Sequence, residues 1–118
     1  MLIGDTAMLG SDKTAGHREI TPSALQAMLA AGTVTLVDVR EADEFAAEHI
    51  AGAINAPLSR FDPAVVAADK GTAIVLQCAG GKRSGMALDK CASAQAAIDT
   101  HLGGGLAAWK AAGLPTVR

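Results

Sequence analysis

Two short apolar runs, residues 34–39 and 72–77, constrain this 118-residue chain more than any other feature. Each is rich in Val, Ile and Leu, each is too short for an ordinary helix, and Gly or charge bounds them. Both predict strands buried on the two faces of a sheet. Helical patterns surround them. Thr21-Pro22 supplies a hydroxyl cap and a proline at the first helical position, Leu25, Met28 and Leu29 follow at helical spacing, and Gly32 is a stop. Residues 41–48 read as a short helix with Phe45 facing inward, and residues 63–70 as another, closed by Gly71. Residues 84–97 place Ala87, Leu88, Cys91 and Ala94, with Ile98 beyond, on one helical face. Ile54 sits in a short extended piece that Pro57 ends. A last strand over residues 98–102 precedes Gly103-Gly104-Gly105 and a helix through Trp109 and Lys110. Strands alternating with helices predict an α/β fold, a parallel sheet with helices on both faces. Residues 1–16 lack periodicity and read as a leader, and residues 17–118 as one domain.

Composition excludes several functions. The chain is 50% hydrophobic, but 26 of those residues are alanine, so Leu, Ile, Val and Met must carry most of the packing. An apolar, nearly neutral chain is not disordered. A net charge of −2 and the lack of a basic stripe argue against nucleic acid as a partner. No apolar run approaches the roughly 20 residues that span a bilayer, and residues 1–12 contain no Lys or Arg, so neither a membrane span nor a signal peptide is expected. Two cysteines do not make a disulfide framework. The expectation is a cytoplasmic domain, a monomer or weak dimer.

Active sites of open α/β sheets lie beyond the carboxyl ends of the strands. The segment Cys78-Ala79-Gly80-Gly81-Lys82-Arg83-Ser84 occupies such a place, between a strand and a helix N-terminus. Its glycines let successive N–H groups turn into one concavity, an anion nest, and Lys82 and Arg83 add cations at the rim. A free thiol with a pKa of about 8.5 is only about 3% ionised at pH 7. Lowering that by about 2 units requires roughly 2.7 kcal/mol of preferential anion stabilisation. A helix end contributes about 0.3–1 kcal/mol and one charge-assisted hydrogen bond about 1.5–3 kcal/mol. Nest and helix end together reach the target without a neighbouring histidine, making Cys78 a candidate nucleophile. The same residues also fit an ordinary turn after a buried strand. A nucleotide-binding loop is excluded, because G-x-x-x-x-G-K-[ST] would require glycine where Leu76 stands and a hydroxyl where Arg83 stands.

Four blocks together resemble a single-domain rhodanese of the small bacterial type. They are Val37-Asp38-Val39-Arg40-Glu41 with Glu44-Phe45, the segment from His49-Ile50-Ala51-Gly52 to Pro57, the Cys78 to Ser84 loop, and Gly104-Gly105-Leu106-Ala107-Ala108-Trp109 running on to Gly113-Leu114-Pro115. Each is weak alone; in order, they are specific. The resemblance implies a five-stranded parallel sheet and transfer of sulfane sulfur from thiosulfate or a persulfide donor to a thiol or protein acceptor. Cys78 would be the catalytic residue. Ala79, Gly80, Gly81, Lys82, Arg83 and Ser84 would bind a small anionic donor, with no metal or organic cofactor. Two positions depart from the pattern: Glu48 stands where glycine is common, and Ala51 where proline is.

Asp38 and Arg40 end the strand beside the one carrying Cys78. They are expected to support the loop from behind, Asp38 as a brace and Arg40 as positive potential; an ion pair or helix cap is the plainer reading and is compatible with that support. Cys91 reads as a buried small hydrophobe and His49 as a structural contact. The histidines and cysteines lack metal-ligand spacing. A phosphatase on the same fold would use C-x5-R with a histidine before the cysteine; here four residues separate Cys78 from Arg83, and Gln77 precedes. A sulfur carrier docking to one partner would need the same thiolate.

Overall fold

A computed structural model describes residues 17–68 and 71–118, so the leader expected over residues 1–16 lies outside the described residues. The elements run β1 (Arg18–Ile20), α1 (Pro22–Ala31), β2 (Val34–Asp38), α2 (Ala42–Ala47), β3 (Ile54–Asn55), a 3-10 turn (Leu58–Arg60), α3 (Pro63–Val66), β4 (Ala73–Gln77), α4 (Lys82–Ser93), β5 (Thr100–Leu102) and α5 (Gly105–Ala111). The five strands form one parallel sheet in the order β1-β5-β4-β2-β3. No helix among the described residues is long and apolar enough to cross a membrane.

The two apolar runs are the centre of this sheet. Leu36 lies opposite Val75 and Val37 opposite Leu76. Since side chains alternate along a strand, each pair serves a different face. Leu36 and Val75 pack with Leu25 of α1 and with Leu106 and Trp109 of α5. Val37 and Leu76 pack with Val66 of α3 and with Ala87, Leu88 and Cys91 of α4. Cys78, two residues past Leu76, therefore falls on the α4 side.

Local chemistry sets the ends. Thr21 Oγ1 accepts from the Ala24 N–H at 3.1 Å, and Gly32 at φ +70° closes α1. Helix α4 differs from expectation at both ends. It starts at Lys82, two residues early, because Gly81 at φ +106° turns the chain directly into it. It stops at Ser93 because Gln95 adopts φ +57°, with its N–H on the Ala92 carbonyl at 3.1 Å and that of Ala96 on the Cys91 carbonyl at 2.9 Å. That is a Schellman closure without its usual glycine. Helix α3 ends at Val66, where Ala67 caps it, and does not continue toward Gly71. Phe45 enters neither core layer; half-buried, it stacks on His49 with ring centroids 3.9 Å apart. Glu48 ties down the end of the chain, its carboxylate accepting from Lys110 Nζ at 2.9 Å and Thr116 Oγ1 at 2.6 Å.

Candidate active site

Because the strands are parallel, their carboxyl ends share one edge, and Cys78 immediately follows β4 there. The first turn of α5 fixes the backbone behind it. The Leu106 N–H donates to the Cys78 carbonyl at 2.8 Å and the Ala107 N–H to the Ala79 carbonyl at 3.0 Å. The Gln77 side-chain amide donates to the Cys78 carbonyl as well, at 2.9 Å. With these carbonyls engaged behind the loop, the N–H groups that follow turn inward. Gly81 N–H reaches Cys78 Sγ at 3.0 Å and Ser84 N–H at 3.3 Å, while Ser84 Oγ lies 3.5 Å from the sulfur. The approach of α5 depends on Gly105. At φ +59°, a Cβ there would lie 2.4 Å from the Cys78 carbonyl oxygen.

Two effects oppose each other at Cys78. Burial, the largest, pushes its thiol up. The Ser84 hydroxyl and the N–H groups of Ser84, Gly81 and Gly80 favour the anion and outweigh burial, so the net shift is downward. The residue is 1% exposed, so its sulfur lies at the buried end of the cup.

The rim cations differ from one another. Lys82 is exposed. Arg83 is gripped by Glu44 of α2 through a bidentate pair, Nη1–Oε1 at 2.7 Å and Nη2–Oε2 at 3.1 Å. The Arg83 hydrogen bond, with further help from the Glu41 N–H, holds the Glu44 carboxyl down at about 2, and Glu44 in turn raises Arg83. Arg83 thus presents a largely compensated charge.

Asp38 and Arg40 bond to each other rather than to the loop. Arg40 Nε lies 3.0 Å from both Asp38 carboxylate oxygens, and Nη2 lies 2.8 Å from Oδ2 and 2.6 Å from the Glu48 carbonyl. Asn55 Nδ2 donates to the carbonyls of both residues, at 3.0 and 2.9 Å. The pair is buried, and it stitches the end of β2 to the segment before β3.

Cys91 lies fully buried on α4, and burial alone pushes its thiol to about 11. His49 Nδ1 sits 2.7 Å from the Phe45 carbonyl. Among the described residues, no cluster of three or more His, Cys, Asp or Glu converges as a metal site would require. Three residues of this region escape sequence reasoning. Gly105 had a signal, since three consecutive glycines before a helix mark a close backbone approach. Glu44 is 39 residues from its Arg83 partner, a separation with no periodicity to read. His101 sits inside a short strand, where it scores only as a polar interruption, yet its Nδ1 lies 2.7 Å from Ser84 Oγ.

A parallel α/β sheet carrying a cysteine in an amide-lined cup after a central strand defines a class of cysteine-centred domains. The model of the rhodanese-like domain matches residues 21–112, and the chain belongs to that family. It is similar to an uncharacterized protein of Synechocystis sp., 48% identical over 99 residues, covering 84% of this chain and 55% of that protein. It is also similar to an HTH-type transcriptional regulator of Mycobacterium tuberculosis, 34% identical over 116 residues, covering 96% of this chain and 51% of that protein. The chain therefore spans about half the length of the curated relatives it matches. Among solved structures, a rhodanese-related protein from Thermoplasma volcanium superposes with a TM-score of 0.72 at 27% identity, covering 86% of this chain and 98% of that one. The rhodanese-like domain of an Anabaena sp. protein gives 0.71 at 32% identity, covering 84% and 77%.

Proposed function

We propose that this chain is a sulfurtransferase that carries sulfane sulfur on Cys78. The observation that supports this most is the set of hydrogen bonds around one sulfur: two backbone N–H groups donate to it at 3.0 and 3.3 Å, and the Ser84 hydroxyl oxygen lies 3.5 Å away. In the first half-reaction the Cys78 thiolate attacks the outer sulfur of thiosulfate or a related persulfide donor. A new S–S bond forms, the donor's S–S bond breaks, and the leaving group (sulfite, for thiosulfate) departs with the electron pair. The loop N–H groups of residues 79–84 then hold the negative terminal sulfur of the persulfide. In the second half-reaction a thiol or protein thiolate attacks that sulfur and returns Cys78 to its anion. This is covalent catalysis of the ping-pong kind, and neither half-reaction requires a metal or organic cofactor. Lys82 draws the anionic donor toward the rim; Arg83, compensated by Glu44, contributes less.

A phosphatase reading draws less support. Four residues separate the nucleophile from Arg83, and the guanidinium is held by Glu44 instead of facing the cup. Mass spectrometry after mixing with thiosulfate tests the proposal. One additional sulfur atom on Cys78, removable by cyanide or a thiol, is expected; a wild-type protein that stays unmodified overturns it. Fast transfer to a single purified protein with slow turnover of every small acceptor would define the activity as that of a dedicated carrier.

A further inference from the structure

Ser84 has one hydroxyl proton and three neighbours for it. Its Oγ lies 2.7 Å from His101 Nδ1, 3.2 Å from the Gly81 carbonyl oxygen and 3.5 Å from Cys78 Sγ. The shortest of these leads to the ring, so the protonation of His101 decides which way the hydroxyl points. His101 is only 5% exposed, on β5 alongside Leu76 of β4. Its other nitrogen, Nε2, lies 3.6 Å from Glu19 Oε2 on β1, too long for a direct hydrogen bond but close enough for an ion pair. An apolar side chain would fill this place without demanding polar partners. The ring instead joins a carboxylate to a serine that touches the sulfur.

We propose that His101 is a positioning residue that receives the proton of Cys78 through Ser84, so that Cys78, Ser84, His101 and Glu19 form a proton relay. The inference rests on the reading of Cys78 as the nucleophile. Before the step, the thiol S–H points at Ser84 Oγ and the Ser84 O–H at His101 Nδ1. The S–H bond breaks as its proton joins Oγ, and the original hydroxyl proton passes to Nδ1. The products are a thiolate accepting a hydrogen bond from Ser84 and an imidazolium whose Nε2–H faces Glu19. Protons and charge balance, and no further reactant takes part.

The titratable groups facing the ring set the sign of its response. Glu19 approaches from β1. His17 approaches edge-on, its ring centroid 6.3 Å away, and its own Nε2 lies 2.8 Å from Asp89 Oδ1 of α4 at an angle that makes no hydrogen bond. Burial lowers the proton affinity of His101, Glu19 raises it and His17 lowers it. Across Ser84 stands Cys78, whose ionisation makes the ring a better base, so the two titrate as a coupled pair.

The test is the pH dependence of Cys78 alkylation by iodoacetamide, read by mass spectrometry in wild type and His101→Asn. Asparagine keeps a polar partner for Ser84 but takes no proton. The variant should react about tenfold more slowly near pH 6, where the imidazolium sustains the thiolate, and within about twofold of wild type near pH 9.5, where the cup alone suffices. Equal rates near pH 6 overturn the relay. A second measurement needs no change at His101: its ring nitrogen NMR shifts should titrate at lower pH in Cys78→Ser, whose hydroxyl stays neutral, and an unmoved titration overturns the relay equally. Sulfur uptake from thiosulfate, run in parallel, keeps the two proposals apart. A His101-dependent alkylation profile without sulfur uptake sinks the sulfurtransferase reading and leaves the relay standing; sulfur uptake with a His101-independent profile does the reverse.

Discussion

Cys78 and Cys91 pack in the same apolar layer, 1% and 0% exposed, and yet their thiols shift in opposite directions. Cys91 projects from the last turn of α4 into apolar neighbours. Burial is what acts on it, and its pKa rises to about 11. At neutral pH such a thiol is ionised in roughly one molecule in ten thousand. Cys78 also meets a burial penalty, its largest single effect, but Ser84, Gly81 and Gly80 aim donors at its sulfur. The comparison teaches that dryness alone makes a cysteine inert. The direction of a few N–H groups, arranged where Gly81 takes φ +106°, outweighs a similar burial and shifts the thiol downward.

The largest break in that comparison comes from exchanging the thiols themselves. Cys78→Ser should abolish sulfur uptake and alkylation entirely. Cys91→Ala should keep sulfur uptake within about twofold while costing about 1 kcal/mol of stability for the small void it leaves, checked by urea denaturation. Next in size is Gly105→Ala, which forces a Cβ against the Cys78 carbonyl oxygen from a left-handed backbone. A cost of about 1–3 kcal/mol is expected, together with at least tenfold slower sulfur uptake, because the carbonyls that turn the cup inward must shift. Unchanged uptake would mean that α5 does not shape the cup.

The smallest effect belongs to Glu44→Gln, which releases Arg83. The pair is half-exposed, so the loss at neutral pH should stay below about 1 kcal/mol. Its pH dependence has a definite sign. Arg83 holds the Glu44 carboxyl below its ordinary value of 4.5, at about 2, so its stabilisation is complete above that ordinary value and lost as pH falls toward about 2. The stability gap between wild type and variant should therefore close over that interval, as acid-unfolding curves would show. A freed Arg83 should also strengthen capture of an anionic donor, visible as a lower KM for thiosulfate.

Most of the frame was legible in the sequence because it rests on local rules. Strand alternation through Val37 and Leu76 assigns Cys78 to the α4 side, and Thr21, Pro22 and Gly32 bound α1 as their chemistry requires. The end of α4 was not legible, since Gln95 adopts a backbone conformation normally left to glycine. The cup could be inferred from Cys78, its glycines and the following helix, but its backing could not. Glu44 and His101 act on the loop from another helix or the neighbouring strand, and contacts of that kind leave no spacing to read; Gly105 left only the hint of three consecutive glycines. Phe45 shows the same limit: helical spacing turned it inward, while stacking on His49 holds it at the margin.

The account turns on the ionisation of one sulfur, and ultraviolet thiolate absorbance in Cys91→Ala, with Cys91→Ala/Cys78→Ser as the blank, follows it directly. The absorbance should rise at a pH clearly below that of an ordinary thiol, about 8.5, and the alkylation rate should rise with it. A midpoint at or above that value, approaching the behaviour of Cys91, would contradict the account.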